Sequence, residues 1–238
     1  MNSNIKIFPS PELLAESFAE YFASEVRHKD KYNIALSGGS TPEIIFKTLA
    51  DNYTDKIDWT KVHFFWGDER CVPPESSDSN YRMTKETLLD RISLPSSNIH
   101  RIRGEAESIE EAIRYSNEIL NNVPLVNNLP GFDFVMLGLG EDGHTASIFP
   151  DRLDLFHTEK ICEAVQNPVT HQKRITLTGN VLNNSSAASF FVTGKSKSFI
   201  VEKVCKNPSA NKNFPASNVN LINGNLFWYL DTQSASKL

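Results

Sequence analysis

The sequence predicts an α/β protein with an open, mostly parallel sheet that carries helices on both faces. Short apolar runs alternate with helical patterns along the whole chain, and this order is typical of parallel strands joined by crossover helices. The run over residues 132–139 is the most apolar of the chain, with Asp133 as its only charged residue, as expected for a strand buried on both faces. A length of 238 residues is ordinary for one layered α/β domain, so a single domain over residues 1–238 is expected.

The individual elements follow from local signals. The first helix is predicted to begin at Ser10-Pro11-Glu12, where a hydroxyl N-cap precedes a proline and an acid. Ser108 and Glu111 have the spacing of a capping box and predict a helix that reaches about residue 120. Further helices are predicted from residue 41, through residues 81–89 and over 196–205. The predicted strands are residues 5–8, 33–36, 62–66, 99–102, 132–139, 161–165, 175–177, 189–192 and 226–230, with surface loops at 121–128 and 207–218.

Composition excludes several classes of protein. The chain has 24 Lys and Arg against 29 Asp and Glu, a net charge of −5, so no nucleic-acid partner is expected. Cys71, Cys162 and Cys205 lack the spacing of a disulfide framework or a zinc site and fit a reducing compartment. No leader or bilayer-spanning run is visible. We therefore expect a cytoplasmic protein without a membrane partner, as a monomer or weak homodimer.

The segment Ser37-Gly38-Gly39-Ser40-Thr41 follows a predicted strand and opens a predicted helix. Its free backbone N–H groups and the helix dipole could hold a phosphate. The segment is not a Walker loop, because no Gly-Lys-Ser/Thr follows, and it lacks the first glycine of a nucleophile elbow. The alternative is an ordinary strand-to-helix turn with Thr41 as N-cap.

A second glycine-rich turn follows the most apolar strand. Residues 138–143 match the G-x-G-x-x-G pattern of dinucleotide sites, but Pro150 leaves room for only about one helical turn afterwards, which disfavours nicotinamide binding. The turn presents His144 two residues after Asp142, and an imidazole can take a proton from water near neutral pH. His144 is thus a candidate general base, with a structural histidine as the alternative. The other five histidines lack this setting.

A third polar segment, Asp68-Glu69-Arg70, follows the apolar strand at 62–66. Arg70 could bind an anion with two parallel hydrogen bonds while the acids orient it. A metal site using these acids with Asp142 and His144 is conceivable, but no His-x-x-x-His or similar pair supports it. The remaining alternative is a solvated charged turn.

Taken together, these segments closely resemble the 6-phosphogluconolactonase family. The resemblance covers most of the chain in the family's order, and it is carried by residues 36–42, 66–73, 79–81, 138–150, 174–178, 191–195 and 214–217. It implies a Rossmann-like three-layer fold and hydrolysis of 6-phospho-D-glucono-1,5-lactone to 6-phosphogluconate, the second step of the oxidative pentose phosphate pathway. No metal or other cofactor is implied, and the expected ligand is a small sugar phosphate.

The resemblance also implies residue roles. His144 would activate water with the support of Asp142. Ser147 is close to His144 in the sequence, and apart from the resemblance we interpret it as a helix-turn hydroxyl, with a nucleophile as the alternative. The phosphate would be bound by Ser37, Gly38, Gly39, Ser40, Thr41 and Arg70, with Arg174 and Lys195 as further candidates and Lys197 as the alternative to Lys195. Glu141 and Ile148 depart from the residues usual in the family, proline and leucine.

Two other functions are weighed against this one. Glucosamine-6-phosphate deaminases share the glycine loop and the Asp-Gly-His turn, but they resemble Asp-Glu-Tyr where this chain has Asp68-Glu69-Arg70. They also carry an Asn-Glu-Pro ending in place of residues 147–150. A non-catalytic sugar-phosphate sensor would normally carry a helix-turn-helix segment, and no basic N-terminal segment is present.

Overall fold

A parallel sheet forms the centre of the structure, a computed structural model that describes residues 4–238. The strands are β1 (Asn4–Phe8), β2 (Tyr32–Leu36), β3 (Val62–Trp66), β4 (Asp68–Arg70), β5 (Leu125–Val126), β6 (Leu129–Pro130), β7 (Phe134–Leu137), β8 (Cys162–Gln166), β9 (Lys173–Leu177), β10 (Ala187–Val192) and β11 (Asn225–Asp231). The α-helices are α1 (Pro11–Arg27), α2 (Ser40–Asn52), α3 (Asn80–Thr87), α4 (Ser108–Asn122), α5 (Gly179–Asn183) and α6 (Ser198–Lys206).

The main sheet has six strands in the order β1-β11-β10-β7-β2-β3, and all its pairs are parallel. Successive side chains of β10 leave opposite faces of this sheet. Phe191 packs edge-on against Phe18 of α1 with ring centroids 4.7 Å apart, whereas Phe190 stacks on Trp228 of β11 at 4.1 Å. Apolar side chains are buried on both faces, and the predicted α/β fold with a mostly parallel sheet is confirmed.

A second, antiparallel sheet with the order β4-β9-β8 lies beyond the end of β3. The sequence predicts strands near β8 and β9 but assigns residues 67–79 to a polar segment without a strand. The three residues of β4 pair with β9, and Leu177 donates its N–H to the carbonyl of Gly67 at 2.8 Å. This sheet places Asp68 and Arg70 at the carboxyl edge of the main sheet.

Three local predictions are wrong. Residues 99–102 form no strand, because their pairing with β3 is limited to an isolated bridge between Ile99 and Phe64. The N-cap of α4 is Glu107, whose carboxylate accepts the N–H groups of residues 109 and 110. Glu111, predicted to close a capping box with Ser108, instead accepts the N–H of Arg103 at 2.7 Å. The loop predicted at 121–128 contains the start of the β5–β6 hairpin.

Within residues 4–238, no helix combines the length and the apolar composition needed to cross a bilayer.

At Trp66, a buried hydroxyl pairs with the outer edge of β3. The hydroxyl of Tyr115 on α4 accepts the N–H of Trp66 at 2.8 Å and donates to the carbonyl of the same residue at 3.0 Å. Tyr32 on β2 is also buried, but its hydroxyl has no hydrogen-bond partner among the described residues. The two tyrosines therefore allow a direct comparison, because both side chains are buried but only the hydroxyl of Tyr115 is hydrogen-bonded.

We predict that Tyr115→Phe lowers the free energy of unfolding by about 1–3 kcal/mol, because it leaves two buried backbone groups of Trp66 unpaired. Tyr32→Phe removes a hydroxyl without a partner and is expected to leave the stability unchanged or slightly higher. Urea unfolding of both variants measures the difference. Equal effects of the two substitutions would contradict the role given to the Tyr115 hydroxyl.

Candidate active site

One cavity of about 280 Å³ collects the polar turns at the carboxyl edge of the main sheet. Ligands of open α/β sheets bind at this edge. The cavity is lined by residues 37–42 after β2, by Asp68 and Arg70 of β4, by Asn80 of α3, by parts of the turn 138–146 after β7, by Arg174 of β9 and by residues 191–193 with Lys197. The structure thus brings together the three segments that the sequence singles out. Among the predicted site residues, Asp142 and Lys195 lie outside this lining.

His144 faces the cavity and is held from behind by Asp142. The carboxylate oxygen Oδ1 of Asp142 lies 2.6 Å from Nδ1 of His144 and accepts the backbone N–H of the same residue at 3.1 Å. Burial raises the pKa of Asp142, but the hydrogen bonds from His144 outweigh it and hold this pKa below its usual range. An ionised carboxylate can only accept, so Nδ1 carries the proton and Nε2 keeps its lone pair. Nε2 is therefore the nitrogen that can take a proton.

Because Gly140 has no side chain, it leaves the space that the imidazole of His144 occupies. A Cβ on Gly140 would lie 2.1 Å from Nδ1 of His144 and 2.5 Å from Oδ1 of Asp142. The turn is closed by hydrogen bonds from the N–H of Gly140 to the carbonyl of His144 and from the N–H of Gly143 to the carbonyl of Gly140. The N–H groups of Gly140, Gly143 and His144 are thus all engaged inside the turn.

The glycine loop after β2 delivers the start of α2 to the cavity. Gly39 has φ +107°, a conformation that favours glycine, and it is the N-cap of α2 without any side-chain cap. The alternative of Thr41 as N-cap is wrong. The side-chain oxygen Oγ1 of Thr41 instead lies 2.8 Å from Oγ1 of Thr193, the residue after β10. The first two residues of this 13-residue helix, Ser40 and Thr41, line the cavity, and their backbone N–H groups have no side-chain acceptor among the described residues.

Position 38 must be glycine, because Asn80 of α3 packs directly against it. A Cβ on Gly38 would lie 1.8 Å from Oδ1 of Asn80, whose Nδ2 donates to the carbonyl of Asp68 at 2.9 Å. Asn80 therefore packs directly on the glycine loop and connects it to β4. Sequence reasoning includes residues 79–81 in the family motif but gives Asn80 no role.

Two arginines face one another across the antiparallel sheet. Arg70 of β4 is paired in register with Arg174 of β9, so both side chains leave the same face. Burial lowers the pKa of Arg174, Asp68 raises it from 3.9 Å away, and the charge of Arg70 lowers it again. The Nε atoms of both arginines are buried without a hydrogen-bond partner among the described residues. Two like charges in this arrangement favour a bound anion between them.

The buried carboxylate of Glu69 fixes the backbone around Arg70. It accepts the N–H groups of Arg70 at 2.7 Å, of Asn80 at 2.8 Å and of Tyr81 at 2.8 Å, and the hydroxyl of Ser79 at 3.0 Å. Burial raises the pKa of Glu69, although the three backbone hydrogen bonds act in the opposite direction. Glu69 therefore serves the fold of this segment.

Asp68 and Ser147 form a buried pair at the base of the cavity. The hydroxyl of Ser147, fully buried and outside the cavity lining, lies 2.6 Å from Oδ2 of Asp68. Its backbone N–H donates to Oγ1 of Thr176 at 3.1 Å. Ser147 lies in a turn between the bridged residues Thr145 and Ile148, so the hydroxyl is buried in a turn and does not belong to a helix as expected.

The lysine that reaches the cavity is Lys197, whereas Lys195, named first from the sequence, lies outside the lining. Both residues belong to the 3₁₀ turn Lys195–Lys197, which precedes α6. The sequence alone does not distinguish the two lysines as cavity residues. The conformation of this turn decides which of them lines the cavity.

Metal binding finds no support in the described chain. Across residues 4–238, no three His, Cys, Asp or Glu side chains lie close enough to hold a metal ion. Glu69, one of the acids considered as a ligand, accepts hydrogen bonds with both carboxylate oxygens from Ser79, Asn80 and Tyr81 at the start of α3.

Comparisons with known proteins agree on one family. The model of the glucosamine-6-phosphate isomerases/6-phosphogluconolactonase family matches residues 9–228. A 6-phosphogluconolactonase of Haemophilus influenzae is 38% identical over 225 residues, which cover 94% of this chain and 95% of that protein. The enzyme of that name from Aggregatibacter actinomycetemcomitans is 36% identical over 236 residues, covering 99% and 100%. The structure of 6-phosphogluconolactonase from Trypanosoma brucei, 28% identical, superposes with a TM-score of 0.89 and covers 100% of this chain and 99% of that one. The family resemblance of the sequence motifs is confirmed.

We predict that Gly140→Ala separates the imidazole of His144 from Asp142, because the new Cβ would overlap both side chains. In ¹⁵N spectra of the imidazole, the wild type is expected to show a protonated Nδ1, and the variant is expected to lose this preference. Gly67→Ala is the control, since its Cβ would meet only the carbonyl of Leu36 at 3.4 Å. An unchanged imidazole spectrum in folded Gly140→Ala would contradict the contact.

Proposed function

We propose that this chain, which belongs to the family of glucosamine-6-phosphate isomerases and 6-phosphogluconolactonases, hydrolyses 6-phospho-D-glucono-1,5-lactone to 6-phosphogluconate. The reaction is the hydrolysis of a cyclic ester in the pentose phosphate pathway. One observation carries the assignment: the same cavity contains a histidine and two arginines. Nδ1 of His144 contacts the Asp142 carboxylate, which leaves Nε2 as the basic nitrogen, and among the described residues only Arg174 of the two arginines has an acidic partner, Asp68 at 3.9 Å. A water-activating base and an anion site are the two features that a phosphorylated lactone requires.

The chemistry needs no covalent nucleophile, because the lactone carbonyl is already an activated ester. Nε2 of His144 takes a proton from water as the water oxygen attacks C1. The resulting tetrahedral centre collapses with cleavage of the bond between C1 and the ring oxygen. The imidazolium returns its proton to that oxygen, and the product is the open-chain carboxylic acid. Asp142 keeps Nδ1 protonated throughout and stabilises the imidazolium.

The phosphate is proposed to lie between the start of α2 and the two arginines. The glycine loop supplies backbone N–H groups and the positive end of a helix dipole. Arg70 and Arg174 supply planar donors for phosphate oxygens, and Lys197 adds a third positive charge. The hydroxyls of Ser37, Ser40 and Thr41 lie at the same wall of the cavity.

We also propose one catalytic domain, a cytoplasmic location and a monomer or weak homodimer. The family match over residues 9–228 and the extensive apolar core support the single domain. All three cysteines are unpaired, which fits a reducing compartment.

The direct test supplies fresh lactone from glucose 6-phosphate and its dehydrogenase and follows acid release above spontaneous hydrolysis. Parallel assays with glucosamine 6-phosphate measure ammonia. Ammonia release without lactone hydrolysis would assign the other activity of the family, and ligand binding without either turnover would indicate a sensor.

We predict that His144→Asn lowers kcat by about 10²–10⁴, the usual contribution of general acid–base catalysis, while the fold is retained. His157→Asn is the control, because His157 is exposed and lies outside the cavity lining. Steady-state kinetics with EDTA present throughout measure both variants. Turnover near the wild-type value in folded His144→Asn would remove His144 from the mechanism.

We predict that Arg70→Ala raises KM about tenfold or more and weakens competitive inhibition by inorganic phosphate, because a charged hydrogen-bond donor leaves the anion site. A fall in kcat as well would show that Arg70 also orients the lactone. Arg82→Ala is the control, since Arg82 pairs with Glu86 on α3 outside the cavity. Equal phosphate inhibition of wild type and Arg70→Ala would move the anion site away from Arg70.

A further inference from the structure

We propose that Asp231 is a positioning residue for the anion site. Its carboxylate holds the loop of residues 193–197 so that Lys197 faces the cavity. The inference rests on the proposed function only in requiring that the cavity bind a phosphate group. Asp231 lies outside the cavity lining and belongs to none of the segments that carry the family resemblance.

The carboxylate of Asp231 anchors the loop through its backbone. Asp231 is the last residue of β11 and is only 4% exposed. Both of its carboxylate oxygens lie 3.1 Å from the N–H of Gly194, and Oδ1 also accepts the N–H of Ser234 at 2.7 Å. A buried charge satisfied by backbone N–H groups forms stronger hydrogen bonds than a neutral acceptor.

Ser234 joins the same anchor to the end of β10. Its hydroxyl is fully buried and donates to the carbonyl of Val192 at 2.8 Å. The C-terminal turn therefore contacts the chain on both sides of Thr193, at Val192 and at Gly194. This arrangement fixes the point where β10 leaves the sheet and the loop begins.

The loop transmits this constraint to Lys197. Gly194 has φ +93°, and its carbonyl accepts the N–H of Lys197 at 3.2 Å. On the other side, the hydroxyl of Thr193 contacts that of Thr41 at the start of α2. The loop is thus held between α2 and Asp231, and both Thr193 and Lys197 line the cavity. Loss of the Asp231 anchor would free the segment that carries the lysine.

Asp231→Asn tests the proposal, because the amide keeps the size of the side chain but lacks the charge and one acceptor. We expect KM for the lactone to rise about tenfold with kcat changed by less than about twofold, since Lys197 contacts the phosphate in ground state and transition state alike. The increase in Tm that inorganic phosphate produces should shrink in parallel.

Asp133→Asn is the matched control. Asp133 is another carboxylate that accepts a backbone N–H, that of Asn33 at 2.8 Å, but it directly precedes β7, at the amino ends of the strands and outside the cavity lining. It should leave KM and the phosphate effect unchanged. An equal rise in KM in Asp133→Asn would overturn the proposal, because the effect would then follow general loss of stability.

A double-mutant cycle asks whether Asp231 acts through the lysine. Lys197→Met alone should weaken phosphate binding, and Asp231→Asn should add little in the Lys197→Met background. Full additivity of the two substitutions would overturn the proposal. Unchanged KM and phosphate affinity in folded Asp231→Asn would do the same.

Should Asp231→Asn fail to fold, Gly194→Ala provides the second variant. A Cβ on Gly194 meets nothing within 4 Å, so the strain of its positive φ acts on the loop alone. Unchanged KM and phosphate affinity in folded Gly194→Ala would overturn the proposal.

Phosphate binding also separates this inference from the proposed function. A wild type that binds phosphate without hydrolysing the lactone, with weaker binding in Asp231→Asn, would refute the function and support the inference. A wild type that shows no phosphate effect would overturn the inference, because no anion site would exist.

Discussion

The active site depends on one buried carboxylate, that of Glu69, which accepts four hydrogen bonds from residues of its own segment and of α3. Burial of a charge is unfavourable unless hydrogen bonds compensate it, and the raised pKa of Glu69 reflects that burial. In return, the carboxylate fixes Arg70 on one side and Asn80 on the other. Asn80 packs on Gly38, so the same interaction also sets the position of the glycine loop before α2.

The distribution of carboxylates explains how a protein with a net charge of −5 builds a positive site. Glu69 and Asp231 direct their charge at backbone N–H groups, and Asp142 directs its charge at His144. Asp68 accepts a hydroxyl hydrogen bond and lies 3.9 Å from the nearest arginine nitrogen. The acids near the cavity therefore position groups without fully neutralising the arginines, and the positive potential of Arg70 and Arg174 remains available to a ligand.

The parallel sheet could be predicted because its strands are encoded locally, by continuous apolar runs and by the turns after them. Elements that depend on distant partners were missed. The three residues of β4 form a strand only through pairing with β9, about a hundred residues later. The β5–β6 hairpin turns at Asn127-Asn128, whose φ values of 52° and 63° are those of a type I′ turn, but two asparagines are a weaker signal than Asn-Gly. Glu107 displaced the expected capping box because Glu111 is buried against Arg103 and Arg114.

The cavity shows the same division between local and distant information. The sequence predicts the neighbourhood of His144 and Asp142, because both belong to one short turn whose glycines specify its shape. Lys197 could not be distinguished from Lys195, since the choice depends on a loop whose direction is set by Thr41 and by Asp231, which lies 37 residues beyond Gly194. In the sequence, Asp231 comes directly after the predicted apolar strand 226–230, as many surface acids do. Only the parallel pairing of β10 with β11 brings its carboxylate to the loop, so its role is a property of the sheet order and is absent from any local pattern.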